Sequence, residues 1–121
     1  MPDARSPLVA VGALNAALAV AAGAFAAHGL RERLAARPLE IFETAARYHL
    51  IHAVAMVLCG VLVARGASTA GWILFAGIVI FSGSLYVLAL TDVKALGAIT
   101  PIGGLAFLVG WLLLAWSAWR Q

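Results

Sequence analysis

AGWILFAGIVIFSGSLYVLAL, residues 70–90, contains no charged side chain. A helix needs about 20 such residues to cross a hydrocarbon core about 30 Å thick. The apolar residues run on without the strict alternation of a membrane β-strand, so a helix is the reading. Working outward, the same pattern recurs at Leu8–Ala27, Ala45–Ala64 and Pro101–Trp119. In lipid the backbone must satisfy its own hydrogen bonds, and a helix does that within one segment.

Composition agrees. Of the 121 residues, 64% are hydrophobic before the 12 glycines are added, and only 11% are charged. An ordinary soluble domain carries about 45–50% apolar residues with glycine included and about 25% charged. Disorder is excluded by the same figures. Cys59 is the only cysteine, which excludes a disulfide scaffold. The net charge is +3, and the basic residues are scattered between apolar blocks, so no nucleic-acid partner is expected. The first block exceeds the 7–15 residues of a signal-peptide core and is read as a retained span. The expected fold is all-α, with one integral membrane domain over residues 1–121. Four transmembrane helices, at about 8–27, 38–64, 70–90 and 101–119, form an antiparallel bundle.

The connections refine this. His28-Gly29 reads as a helix end with a glycine cap. Leu30–Ala36 is amphipathic and suits the membrane interface. Pro38 reads as the first residue of helix two, with Glu40 and Glu43 favoured by the helix dipole and Glu43–Arg47 a correctly oriented i,i+4 pair. Thr100-Pro101 reads as an N-cap and first residue for helix four. The face bearing the first and third connections, side B, holds Arg31, Arg33, Arg37, Arg47 and Lys94. The other face, side A, holds Arg5, Arg65 and Arg120. The positive-inside rule then puts residues 29–44 in the cytoplasm and both termini outside. Trp72, Trp116 and Trp119 form an aromatic belt at side A, with Tyr48 and Phe42 opposite.

Small residues at four-residue spacing, Gly12/Ala16, Ala19/Gly23/Ala27 and Ala106/Gly110, suit close helix packing within the chain. A homo-oligomer or other membrane subunits are the alternative partners for them, beside the membrane lipids themselves.

Polar groups inside a membrane each require an account. Asn15 suits an interhelical hydrogen bond. Ser82 and Ser84 can bond back to the preceding turn, and Gly83 between them allows close approach. His28, His52, Tyr86, Asp92 and Thr100 all fall toward side B and form the candidate polar cluster, with His28 and His52 expected to approach or share a partner. It reads as a structural network, or as a site for a small molecule or proton. His49, His52, Met56 and Cys59 make a stripe of soft and borderline metal ligands. Four ligands on one straight helix are too spread to meet at one ion. At most His49 and His52 could share one, and no metal is assigned. No catalytic motif, phosphate loop or cofactor signature occurs, so no cofactor is implied and no enzyme is expected.

Four ordered motifs carry a resemblance: GAFAAHGL (23–30), FETAARYHLIHA (42–53), FSGSLYVLAL (81–90) and GAITPIGGLAFLVGW (97–111). Together they resemble the signatures of the small bacterial inner-membrane family typified by YgdD, a domain of unknown function with mitochondrial relatives. The resemblance covers nearly the whole chain. It implies a four-helix multipass protein and no established reaction. The family pattern includes His28, Gly29, Tyr48, His52, Ser82, Gly83, Ser84, Tyr86, Thr100, Pro101, Gly103 and Gly104. His49 stands where glutamine is more usual, and Cys59 lies outside the pattern, which counts against the metal stripe. The expected function is a multipass membrane protein, an accessory part of a larger assembly. The alternative is a small-molecule or proton binder or transporter using the side-B cluster.

Overall fold

A computed structural model describes residues 5–120. Each apolar block becomes one helix, because only internal hydrogen bonding satisfies the backbone where water is absent. Helix α1 runs Arg5–Phe25 and ends in a widened turn, Ala26–Leu30. Helix α2 is Ala36–Val61, α3 is Ala67–Thr91, and α4 is Thr100–Arg120, led in by a tight 3-10 turn at Lys94–Ala98. All four rods are long and apolar enough to cross a membrane. The chain ends expected outside, residues 1–4 and 121, lie outside the described residues, as does the Arg5 side chain.

Two helix starts differ from expectation. α2 begins at Ala36, with Ala35 extended at its N-cap, so Pro38 is the third helical residue. The first four N–H groups of a helix have no internal partner, so the proline sits there without loss. Thr100 is the first residue of α4; its hydroxyl turns back toward Leu96 O, 3.2 Å away, instead of capping forward. The turn from α2 to α3 closes on Gly66 at φ 92°, a left-handed position that glycine adopts freely. At the other face Asp92 ends α3 at φ 58°, its N–H bonding Leu88 O at 2.8 Å. The segment after α1 forms a single turn, with Leu30 buried and Arg31, Glu32 and Arg33 exposed.

α2 is the central element: half of its span is buried, against 22% for α1 and for α4. α1 lies along α2 and packs tightly at Gly12; a Cβ there would sit 3.0 Å from Ala53 O. α3 lies against α2 and α4. The α3–α4 contact depends on Gly77 and Gly103: a Cβ on Gly103 would strike the Phe81 backbone, and one on Gly77 the Phe107 ring. Gly83, expected to mediate close approach, has nothing within 4 Å of its Cβ position.

The core is layered. Toward side A, Leu8, Met56, Cys59, Ala70, Leu74, Ile78, Phe107 and Leu114 make one apolar cluster. Toward side B, Ala26, Leu30, Phe42 and Ala89 make another. Between them lies a layer of buried polar groups that includes Asn15, His49, His52, Ser82 and Ser84. In the side-A layer the Ser117 hydroxyl is buried without a partner among the described residues, beneath Gly66.

Candidate functional site

α3 is not a uniform α-helix. Over Ile78–Ser82 its turn widens, and the Gly83 N–H reaches back five residues to Ile78 O as well as to Ile80 O. Such turns insert one residue into the ladder and re-aim the side chains beyond it. The side chains at its end and beyond it include several polar ones. Ser82 donates across to Ala45 O of α2 at 2.8 Å, where a bond back to its own helix was expected. Ser84 does bond back, to Phe81 O at 3.0 Å, and also meets Thr100 Oγ1 at 2.6 Å. With one hydrogen each, either Thr100 donates to Ser84 and Ser84 to Phe81 O, or Ser84 donates to Thr100 and Thr100 to Leu96 O.

One turn further, Tyr86 meets His49. The Tyr86 hydroxyl lies 2.9 Å from His49 Nδ1, and His49 Nε2 lies 2.9 Å from Asn15 Oδ1. Asn15 Nδ2 donates to Val11 O at 2.9 Å. The direction of this series of bonds is set by donor chemistry. A carbonyl only accepts, so the Asn15 amide nitrogen faces Val11 and its oxygen faces His49. His49 Nε2 must then carry hydrogen, and in the neutral ring Nδ1 accepts from Tyr86. Three helices are joined by one directed relay, with Asn15 in the interhelical role expected for it.

His52, one turn along α2, takes the opposite tautomer. Its Nδ1 is 2.7 Å from Tyr48 O, and its Nε2 is 3.0 Å from the Trp111 indole N–H. The carbonyl accepts and the indole donates, so His52 is protonated at Nδ1 and bare at Nε2. Its ring stacks on Phe107 with centroids 3.6 Å apart and planes 10° from parallel. Tyr48 is nearly parallel to both, 12° from His52 and 13° from Phe107. Beside these rings opens a cleft of about 370 Å3, walled by Tyr48, His52, Phe81, Phe107 and Trp111 with Gly104 and Leu108 at its α4 side. Among the described residues the Tyr48 hydroxyl has no hydrogen-bond partner.

The expected five-residue cluster is therefore divided. Tyr86 joins His49, Thr100 joins Ser84, and His52 turns to α4. His28 is exposed and does not approach His52. Ala26 and Leu30 face inward, and a residue two positions from each points away from that face. Asp92 is exposed as well; its left-handed backbone ends α3, a position that aspartate tolerates, and its carboxylate joins no network among the described residues. His49 and His52 both face inward but toward different helices, α1 and α3 for one and α4 for the other, so they do not converge on an ion. The Met56–Cys59 part of the stripe is packed apolar core. Phe81, Phe107 and Trp111 were not among the expected site residues. Trp111 lies at the middle of α4, away from the belt of Trp116 and Trp119. A mid-span indole needs an acceptor, and that requirement was the available signal.

The model of a protein family of unknown function, DUF423, matches residues 22–104. A UPF0382 membrane protein of Staphylococcus saprophyticus is 49% identical over 88% of this chain and 91% of its own length. The UPF0382 membrane protein YwdK of Bacillus subtilis is 44% identical over 91% of this chain and 94% of its own. No solved structure matches.

Proposed function

The chain belongs to the DUF423 family, whose matched bacterial relatives are named membrane proteins, and from that premise we propose that it is a non-enzymatic binder of a flat lipophilic molecule. The observation that carries this reading is the cleft beside His52. It is of ligand size, its walls are aromatic, and few polar groups converge on it, as in small-molecule sites generally. Tyr48, His52 and Phe107 offer near-parallel ring faces. Both His52 nitrogens are occupied, which leaves the Tyr48 hydroxyl to donate to a carbonyl on the guest. The host membrane is the bacterial inner membrane, with residues 29–44 cytoplasmic, on the five-to-three basic count. An accessory-subunit role would rest on the lipid-facing surface of α1 and α4, and lipid alone accounts for that surface.

Tryptophan fluorescence with a short-chain naphthoquinone tests the proposal. The quinone should quench part of the emission saturably, and Trp111→Phe should remove that part while the remaining three tryptophans still emit. Tyr48→Phe should weaken binding by about tenfold, as loss of one hydrogen bond in an apolar cleft does. Quenching that rises linearly with quinone, equal in the wild type and Trp111→Phe, would overturn it.

A further inference from the structure

The opposite flank of the bundle carries a second recess, of about 470 Å3, between α1 and α2. Ala19, Val20, Gly23 and Ala24 form one wall, and Ala46 and Leu50 the other. A Cβ on Gly23 would meet nothing within 4 Å. The rim is charged: Glu43 and Arg47 line the same recess, and both are exposed. Their spacing predicts an ion pair, yet none forms between them among the described residues, where the one close pair is Arg37–Glu40 at 3.3 Å. One negative and one positive group thus stand unneutralised over an apolar trough that opens to the bilayer.

We propose that this recess binds a phospholipid with a primary-ammonium headgroup, of the phosphatidylethanolamine type. The order of the charges selects that occupant. α2 runs inward from side B, so Arg47 lies one turn, about 6 Å, deeper than Glu43. In such a lipid the phosphate lies nearer the bilayer centre and the ammonium further out. Arg47 meets the phosphate, Glu43 meets the ammonium, and an acyl chain lies along Gly23, Val20, Ala19 and Leu50. A phosphatidylglycerol headgroup offers the phosphate but no cation, and leaves Glu43 facing an anionic lipid. A second copy of the chain fits less well. A two-fold axis along the membrane normal would set Glu43 against Glu43 and Arg47 against Arg47, because the two groups sit at different depths.

The test is native mass spectrometry of the full chain from mixed micelles holding equal phosphatidylethanolamine and phosphatidylglycerol. The wild type should retain the ethanolamine lipid over the glycerol lipid by about fivefold, the worth of one headgroup contact near the surface. Glu43→Gln should abolish the preference while keeping retention, and Arg47→Gln should lower retention of both lipids. Gly23→Leu fills open space, so the fold should persist by circular dichroism while lipid retention falls. Equal or reversed preference in the wild type would overturn the proposal. So would retention unaffected by Gly23→Leu, or a dimer mass in place of bound lipid. The cleft beside His52 lies on the other flank, so quinone binding there is read independently.

Discussion

His49 holds both ring nitrogens in bonds that cross to other helices, so its removal strands two groups at once. His49→Ala leaves the Tyr86 hydroxyl and the Asn15 carbonyl without partners; unmade bonds in apolar surroundings cost about 1–3 kcal/mol each, while polar contacts between membrane helices average nearer 0.6. A loss of about 2 kcal/mol is the expected sum. Tyr86→Phe removes one bond and should cost about 0.6–1.5 kcal/mol. The Asn15→Ala/His49→Ala double mutant should fall short of additivity, because both changes break the same bond. Unfolding in a fixed detergent reads all of these variants, and strict additivity would contradict the relay. His28→Ala should leave the midpoint unchanged, since that ring touches none of these groups. Asn15 was legible in the sequence as a lone amide in an apolar helix that needs a partner. The identity of the partner was not, since nothing in α2 distinguishes His49 from His52 until the facing of α3 is known.

At the scale of the element, glycine identity is less informative than glycine position. Gly83 and Gly103 both sit in membrane helices, in motifs the sequence flags equally. Their surroundings differ: Gly103 abuts the Phe81 backbone, and Gly83 faces open space. Backbone cannot swing aside as a side chain can, so Gly103→Ala must push α3 and α4 apart, at about 1–3 kcal/mol. Gly83→Ala should be neutral or stabilising by up to about 1 kcal/mol, the helix-propensity difference. A comparison of the two variants by thermal unfolding checks the α3–α4 contact directly, and equal losses would contradict it. The four spans were legible because apolar length alone specifies them. Their facing was not, because the widened turn at Ile78–Ser82 breaks the period on which any such reading depends.

For the whole molecule, orientation is set by charge distributed over the connections. In a Cys59→Ala background, a cysteine at Arg33 should react with a membrane-impermeant reagent only after permeabilisation, and one at Arg120 should react in intact spheroplasts. The reverse pattern would invert the topology. Burial is legible at this scale too: a polar layer between two apolar ones matches the run of Asn15, His49 and Ser82 through consecutive spans. That His28 and Asp92 lie outside the layer was not legible, since proximity to a helix end does not say which way a side chain points. The widened turn in α3 also bears on the molecule as a whole. An α-helix advances by about 100° per residue, so one inserted residue offsets the two halves of the rod by that angle. The half before it presents Leu74 and Gly77 to α4, while Ser82 at the end of the turn and Tyr86 beyond it face α2. Deleting Val79 would close the ladder and force a choice between those two seats. With the insertion kept, each half of α3 has its own bearing, like two keys cut on one shaft, and sequence drift on one side need not turn the other.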